Sequence, residues 1–230
     1  MASYGPLMDD ATTGPSTNDQ STTDPGTIDP GTTDPGTTDP GTTDPAAPPW
    51  TTRLLDQLEW HWRVQLRPGL EGLTDREHLW EPVPGCWSLR PRGEAVTPMA
   101  AGGGDVVADF AFPEPEPAPV TTIAWRLGHL IVGVLGARNA SHFGGPAMSY
   151  QTYDWSLEAD VALGALDEAA DRWFAGVAEL GAEGLERSIG PAEGPWAEHT
   201  YAKLVLHIHR EVIHHGAEVL LLRDLHRHLG

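Results

Sequence analysis

The sequence predicts an all-α protein: a four-helix bundle with a long first crossover, preceded by a disordered low-complexity tail. Two observations favour this fold. Four segments show helical periodicity, and Pro- and Gly-rich sequence separates them. Four long helices joined by loops, with one long crossover between the first two, are typical of a four-helix bundle. We therefore expect a tail over residues 1–49 and one bundle domain over residues 50–230.

The predicted tail consists largely of five-residue TTDPG-like units over residues 22–45. In each unit Pro and Gly terminate any helix, and the Asp-Pro-Gly triplet favours a turn. The units contain almost no apolar side chains, so burial cannot offset the entropy lost on ordering. We interpret the segment as an extended, self-repelling, disordered arm.

The first bundle helix is predicted over residues 51–66. Its apolar side chains fall on one helical stripe: Leu54, Leu55, Leu58, Trp62 and Leu66. Pro68 and Gly69 then end the helix. A capping-box pattern over residues 74–77 opens a further short helix that runs through Trp80.

The other three long helices follow a Pro- and Gly-rich crossover over residues 81–120, which has room for a short hairpin. The predicted helices are residues 123–143 with a cap at Thr121 or Thr122, residues 157–180 after Ser156, and a segment from about Glu198 to His226. Apolar residues dominate the first of these three, as expected of a buried helix.

Charge excludes several classes of partner. The formal net charge is −19, and the first 49 residues hold eight acidic residues and no Lys or Arg, which leaves −11 for residues 50–230. An acidic surface repels phosphate groups, so we expect no nucleic-acid partner and no binding to anionic membranes.

Cysteine usage and the N-terminus bear on the compartment. Cys86 is the only cysteine, so no intrachain disulfide can form, which fits a reducing environment. The N-terminus lacks the basic and apolar regions of a secretory signal, and no apolar run reaches the roughly 18–20 residues that span a bilayer. We expect a cytoplasmic protein with a small-molecule substrate.

The fourth helix carries a dense cluster of ionisable residues. The stretch HREVIHHGAE, residues 209–218, places three His and two Glu within ten residues. His207, Glu211 and His215 lie at i, i+4 and i+8, on one face of the helix and beside apolar neighbours. Burying an unpaired carboxylate is costly. A divalent cation bound by neutral imidazole and ionised carboxylate would remove that cost.

His129, on the second helix, is the candidate third ligand. Two ligands on one helix occupy only one side of a metal, so a further ligand has to come from another helix. His129 lies within the apolar and small-residue stretch WRLGHLIVG, where an uncommitted imidazole is unusual. Together, His129, Glu211 and His215 form a two-His-one-carboxylate set that leaves coordination positions open and suits Zn, Ni or Fe.

Each candidate ligand also has an interpretation without a metal. His129 can be a core imidazole bonded to a carbonyl. Glu211 can be the i, i+4 partner of His207 or His215 on a solvated face, and His207 is itself a fallback ligand. The residues that we expect to surround the ligands are His207, His214 and Glu218. Glu218 remains open as a general base or as a solvated glutamate.

Three segments resemble the DinB-like superfamily: WRLGHL, HIHREVIHHGAE, and WEPVPGCW after the first helix. The resemblance covers the whole domain in helix order, and the REVIHHGAE segment is similar to an actinobacterial-type subgroup. It implies a four-helix bundle in which one His of the second helix and two residues of the fourth bind a divalent metal. It also implies that the metal activates a low-molecular-weight thiol such as mycothiol or bacillithiol, as in mycothiol-dependent maleylpyruvate isomerase.

This sequence departs from the commoner family pattern, which has His at the position of Glu211 and Gly-Gln where Ala217 and Glu218 stand. A carboxylate at that position makes the ligand set harder. Three functions remain open: a metal-dependent thiol S-transferase or isomerase, a non-catalytic protein that binds or senses a metal or small molecule, and a structural bundle for which we expect a homodimer.

Overall fold

The computed structural model describes residues 49–230, and four long helices dominate this part of the chain. The prediction of a four-helix bundle is confirmed. Apart from Pro49, the predicted disordered tail lies outside the described residues. The domain boundary at residue 50 stays a prediction.

The first two long helices each contain a π-helical stretch. The first consists of α1 (Trp50–His61), a π-helical segment (Trp62–Leu66) and a final short turn, α2 (Arg67–Gly69). The predicted capping box then opens α3 (Asp75–His78). The second long helix consists of α4 (Ile123–Gly128), a π-helical segment (His129–Gly136) and α5 (Ala137–His142). Its cap is Thr122, whose hydroxyl accepts a hydrogen bond from the Trp125 N–H at 3.3 Å.

The third and fourth long helices each begin and end a few residues later than predicted. Helix α6 runs over Ala159–Leu185, but Gly181 has φ 63° and interrupts it one residue after the predicted end. A left-handed residue favours glycine because it has no Cβ. Helix α7 runs over Tyr201–Leu229, and the Thr200 side chain caps its first turn. The helix therefore begins a few residues later than the sequence predicted.

The crossover contains the expected hairpin. Strands β1 (Leu89–Pro91) and β2 (Val106–Ala108) pair antiparallel, with Leu89 opposite Ala108. Asp109, which is fully buried, fixes the hairpin because its carboxylate accepts from the N–H groups of Ser88 and Val96 and from Arg90 Nε. The Asp109 carbonyl accepts from the Trp125 indole N–H at 2.8 Å. The hairpin is thereby tied to the start of the second long helix.

The core lies between the four helices. Its largest fully buried apolar side chains include Leu58, Leu66, Leu127, Leu130, Leu135, Leu166, Trp173 and Ile208. Burying one such side chain stabilises the fold by about 1.5–3 kcal/mol, so this layer is the main source of stability. Within residues 49–230, no helix combines the length and the apolar character needed to cross a bilayer.

His78 is a polar exception in the core. Its side chain is fully buried, and neither ring nitrogen has a hydrogen-bond partner among the described residues. Burial lowers the pKa of His78 to about 4, although the nearby charge of Asp75 opposes that shift. The imidazole is therefore neutral in the folded protein at neutral pH.

Replacing His78 with Leu should make stability less sensitive to acid. The folded-state pKa lies below the usual histidine pKa of about 6.5. The stability contributed by neutral His78 is therefore present above that pH and is lost as the pH falls towards 4. This loss is about 3 kcal/mol. Urea unfolding of metal-free protein measures the free energy of unfolding at about pH 7 and about pH 4. Between these pH values, the free energy of unfolding should fall by about 3 kcal/mol less in His78→Leu than in wild type. A difference between the two proteins that stays constant with pH would contradict this.

Candidate metal centre

Two of the long helices bring the predicted ligands together. His129 begins the π-helical segment of the second helix, and Glu211 and His215 lie one turn apart on α7. One ligand atom from each of the three side chains lies within 4.8 Å of the others. The His129 and His215 ring centroids are 4.8 Å apart, with the rings nearly perpendicular. The structure therefore brings the three side chains close together, and their role as metal ligands stays a prediction.

His215 is oriented by Glu218. The Nδ1 atom of His215 lies 2.7 Å from Oε2 of Glu218, so Nδ1–H donates to the carboxylate. The other ring nitrogen, Nε2, lies 3.3 Å from Oε2 of Glu211. A carboxylate on one imidazole nitrogen fixes the tautomer and leaves the second nitrogen as the ligand atom.

His129 is oriented in the same manner by Tyr150, in the loop between the second and third helices. Its Nδ1 atom lies 2.6 Å from the Tyr150 hydroxyl. On the other side, the Trp125 ring stacks on His129 with centroids 5.8 Å apart and an interplanar angle of 13°. Gly133 makes this arrangement possible, since a Cβ at that position would collide with the Tyr150 hydroxyl. Nε2 of His129 is thereby left for a ligand role.

Electrostatics keep both imidazoles neutral. Burial lowers the pKa of His129 to about 3, and the neighbouring His215, Arg126 and Arg138 lower it further. Burial also lowers the pKa of His215, although its bond to Glu218 opposes that shift. Metal binding requires the deprotonated ring nitrogen, so these shifts preserve the ligand form at neutral pH.

The three donor atoms fit a divalent cation. Ligand atoms at about 2.0–2.2 Å from a tetrahedral metal lie about 3.3–3.6 Å apart. The ligand atoms in the structure lie within 4.8 Å of one another, so metal binding would draw them closer by about 1–1.5 Å at most. Two imidazole nitrogens and one carboxylate are a donor set that Zn, Ni and Fe share. Three protein ligands also leave coordination positions for a small molecule.

The residues expected around the ligands occupy different positions. His207 Nδ1 lies 3.6 Å from Oε1 of Glu211 and accepts a bond from Arg210 Nη2 at 2.6 Å. His207 therefore contacts the carboxylate of the candidate ligand Glu211. The His214 side chain is 63% exposed and lies 3.5 Å from the Glu218 carboxylate. His214, His215 and Glu218 form a second cluster with donors close enough for a metal. That cluster is the poorer candidate because His214 is exposed and Glu218 is already paired with His215.

Arg126 completes the surroundings of His215. Its Nε lies 3.1 Å from Oε2 of Glu218, and its Nη1 lies 3.4 Å from Nδ1 of His215. The guanidinium also lies over the Trp125 ring, 5.5 Å from the centroid. The pKa of Glu218 is lowered: burial acts to raise it, but the bond from His215 and the charge of Arg126 outweigh that effect. Glu218 is therefore an ionised anchor for His215 and a weak base.

A four-helix bundle with two His and one Glu clustered between its second and fourth helices defines a class of candidate metalloproteins. In a scan against protein families, the model for the DinB superfamily matches residues 57–219. The chain belongs to the DinB superfamily. No curated protein and no solved structure matches it. Membership of an actinobacterial-type subgroup stays a prediction.

Sequence reasoning missed two residues of the centre. Arg126 lies three residues before His129, on the same face of the helix, and that spacing was the available signal. Tyr150 lies in a loop, where no periodicity indicates which side chain points inward. Gly133 and Gly136 follow His129 on the same helix, and the structure shows that they make room for Tyr150 and Met148.

Tyr150→Phe should weaken metal binding about tenfold. The substitution removes the acceptor that holds Nδ1–H of His129 and so frees the ring to rotate away from the other two ligands. Competition with a chromogenic chelator measures the change. Tyr153→Phe is the matched control, since it removes a phenol oxygen from the same loop without touching a candidate ligand. Equal affinities for wild type and Tyr150→Phe would show that the phenol does not position His129.

Proposed function

We propose that this protein binds a divalent metal through His129, Glu211 and His215 and activates a low-molecular-weight thiol, such as mycothiol, for transfer to an electrophile or for isomerisation. The observation that carries the proposal is the convergence of these three side chains across two helices. Membership of the DinB superfamily supports it. Zn, Ni and Fe each suit the donor set.

The chemistry divides between the bound cation and the protein. A divalent cation lowers the pKa of a coordinated thiol, and the resulting thiolate is the reactive nucleophile. Glu211 supplies the only negative charge among the three ligands. Glu218 and Tyr150 hold the two imidazoles in the orientation that presents Nε2. Because the two imidazoles are already oriented, metal binding needs little reorganisation of the site.

The protein's own thiol does not suit the role of nucleophile. Cys86 is fully buried, and its thiol donates to the Val83 carbonyl at 2.9 Å. Burial raises the pKa of Cys86, which lowers the thiolate fraction at neutral pH. A thiol reaction at this centre therefore needs a small-molecule thiol cosubstrate, and this requirement favours a protein that works in the cytoplasm.

Freshly purified wild-type protein should contain close to one equivalent of a divalent metal, measured by elemental mass spectrometry. His129→Ala should lower that content sharply, because two ligands on one helix hold only one side of the ion. His228→Ala, at the exposed end of α7, is the matched control and should retain the metal. Wild-type protein that carries no metal would defeat the proposal.

Metal-loaded protein should catalyse the reaction of an electrophile with one member of a panel of small thiols. His215→Ala should abolish turnover while circular dichroism shows unchanged helix content, because the ligand is lost but the bundle remains. Metal binding without turnover for any thiol would instead identify a non-catalytic binding or sensing protein. Turnover that survives in His215→Ala would place the chemistry elsewhere.

A further inference from the structure

We propose that Arg126 recognises a carboxylate on the molecule that binds at the metal centre. This inference rests on the proposed function and narrows its substrate class to acidic thiols or acidic electrophiles. Arg126 belongs to no candidate ligand set, and its guanidinium lies beside His215 and Glu218 at one end of the cluster.

Arg126 borders the candidate centre, on the side of His215 opposite its candidate ligand atom Nε2. It precedes His129 by three residues, so both side chains lie on the face of the second helix that packs against α7. The guanidinium Nη1 is 3.4 Å from Nδ1 of His215. The guanidinium therefore lies across the His215 ring from Nε2, the candidate ligand atom. A bound molecule that extends a few bonds from a metal-bound atom along that ring would bring an anionic group to the guanidinium.

The N–H groups of Arg126 have few well-directed acceptors among the described residues. Nδ1 of His215 gives its proton to Glu218 whenever Nε2 is the ligand atom, so it cannot then accept from Arg126 Nη1. The Arg126 Nε atom is near enough to Glu218 for an ion pair, but its N–H has no well-directed acceptor among the described residues. The pair between Arg126 and Glu218 is therefore electrostatic without a hydrogen bond, because a hydrogen bond also requires the N–H to point at the acceptor.

Two other arginines, the buried Arg223 and the half-buried Arg90, show what a purely structural guanidinium looks like in this protein. Arg223 donates to the Glu77 carboxylate at 3.1 Å and to the Gly69 carbonyl at 2.6 Å. Arg90 donates to the Asp109 carboxylate and to the Cys86 carbonyl, and it also pairs with Glu81. Both use carboxylate and carbonyl acceptors together. No directed bond from Arg126 to a carboxylate or carbonyl occurs in the described part of the chain.

A carboxylate suits the N–H groups of Arg126, whose Nε–H has no well-directed acceptor among the described residues. The planar guanidinium presents parallel N–H groups that match the two oxygens of a carboxylate. The Arg126 side chain is 19% exposed, so water screens the pairing less than at an open surface. Stacking on Trp125 limits the orientations of the guanidinium. The geometry favours a planar anion over a neutral amide of the same shape.

Cobalt-loaded protein provides the test, because a bound thiolate gives an absorption band in the near ultraviolet. The probes are 3-mercaptopropionate and 3-mercaptopropionamide, which have nearly the same shape but differ in charge. The ratio of their dissociation constants should favour the acid in wild type and should fall about tenfold in Arg126→Gln. Comparing the ratio between proteins removes the effect of the different acidities of the two thiols.

Arg63→Gln is the matched control. It removes the same charge from a side chain that is 72% exposed on the first helix, and it should leave the ratio unchanged. An equal ratio in wild type and Arg126→Gln would overturn the inference and leave Arg126 as a partner of Glu218 only. If neither thiol gives a band with wild type, the thiol function fails, and a second measurement judges the anion site separately.

That measurement is nitrogen NMR of the arginine side chains in zinc-loaded wild type, titrated with succinate and with succinamide. One arginine Nε–H signal should move with succinate and stay fixed with succinamide, and it should be missing from the Arg126→Lys spectrum. This experiment needs no thiol binding and no folded Arg126→Gln. An Arg126 signal that does not respond to succinate, or responds equally to both compounds, would overturn the inference.

Discussion

The close approach of His129 to His215 across two packed helices is the constraint on which the rest of the site depends. Polar nitrogens buried at a helix interface destabilise the fold unless each has a partner. The structure supplies partners for one side of each ring, Tyr150 for His129 and Glu218 for His215. The opposite sides face one another and Glu211. The imidazoles are thus neutral, oriented and directed at a common point, which is what a divalent cation needs.

The irregular crossover contributes to this orientation from a distance. Buried Asp109 organises the hairpin through its carboxylate, and its carbonyl holds the Trp125 indole. Trp125 in turn stacks on His129 and lies under the Arg126 guanidinium. A segment that lacks long helices or strands therefore fixes two side chains of the centre. Its Pro- and Gly-rich composition is consistent with a chain that must turn tightly around a buried carboxylate.

Glu211 and Glu218 lie about one helical turn before and after His215, and they have different roles because their surroundings differ. Glu211 lies near Nε2 of His215 and faces His129, so its carboxylate can join a ligand set. Glu218 lies at Nδ1 and shares Arg126, so its charge is already used. The same distinction separates His214 from His215, since one side chain is largely exposed and the other is mostly buried.

The sequence by itself determined the helices and the faces they present. Periodicity records which side of a helix is buried, so the bundle, the i, i+4 pair of Glu211 and His215, and the unusual apolar setting of His129 were all predictable. Only the tertiary structure decided the partners: Tyr150 from a loop, Arg126 beside His215, and the break at Gly181 that periodicity does not mark. The physical reason is the distance in sequence over which each interaction acts. Local spacing sets side-chain direction, whereas a hydrogen bond between separate segments depends on how whole elements pack.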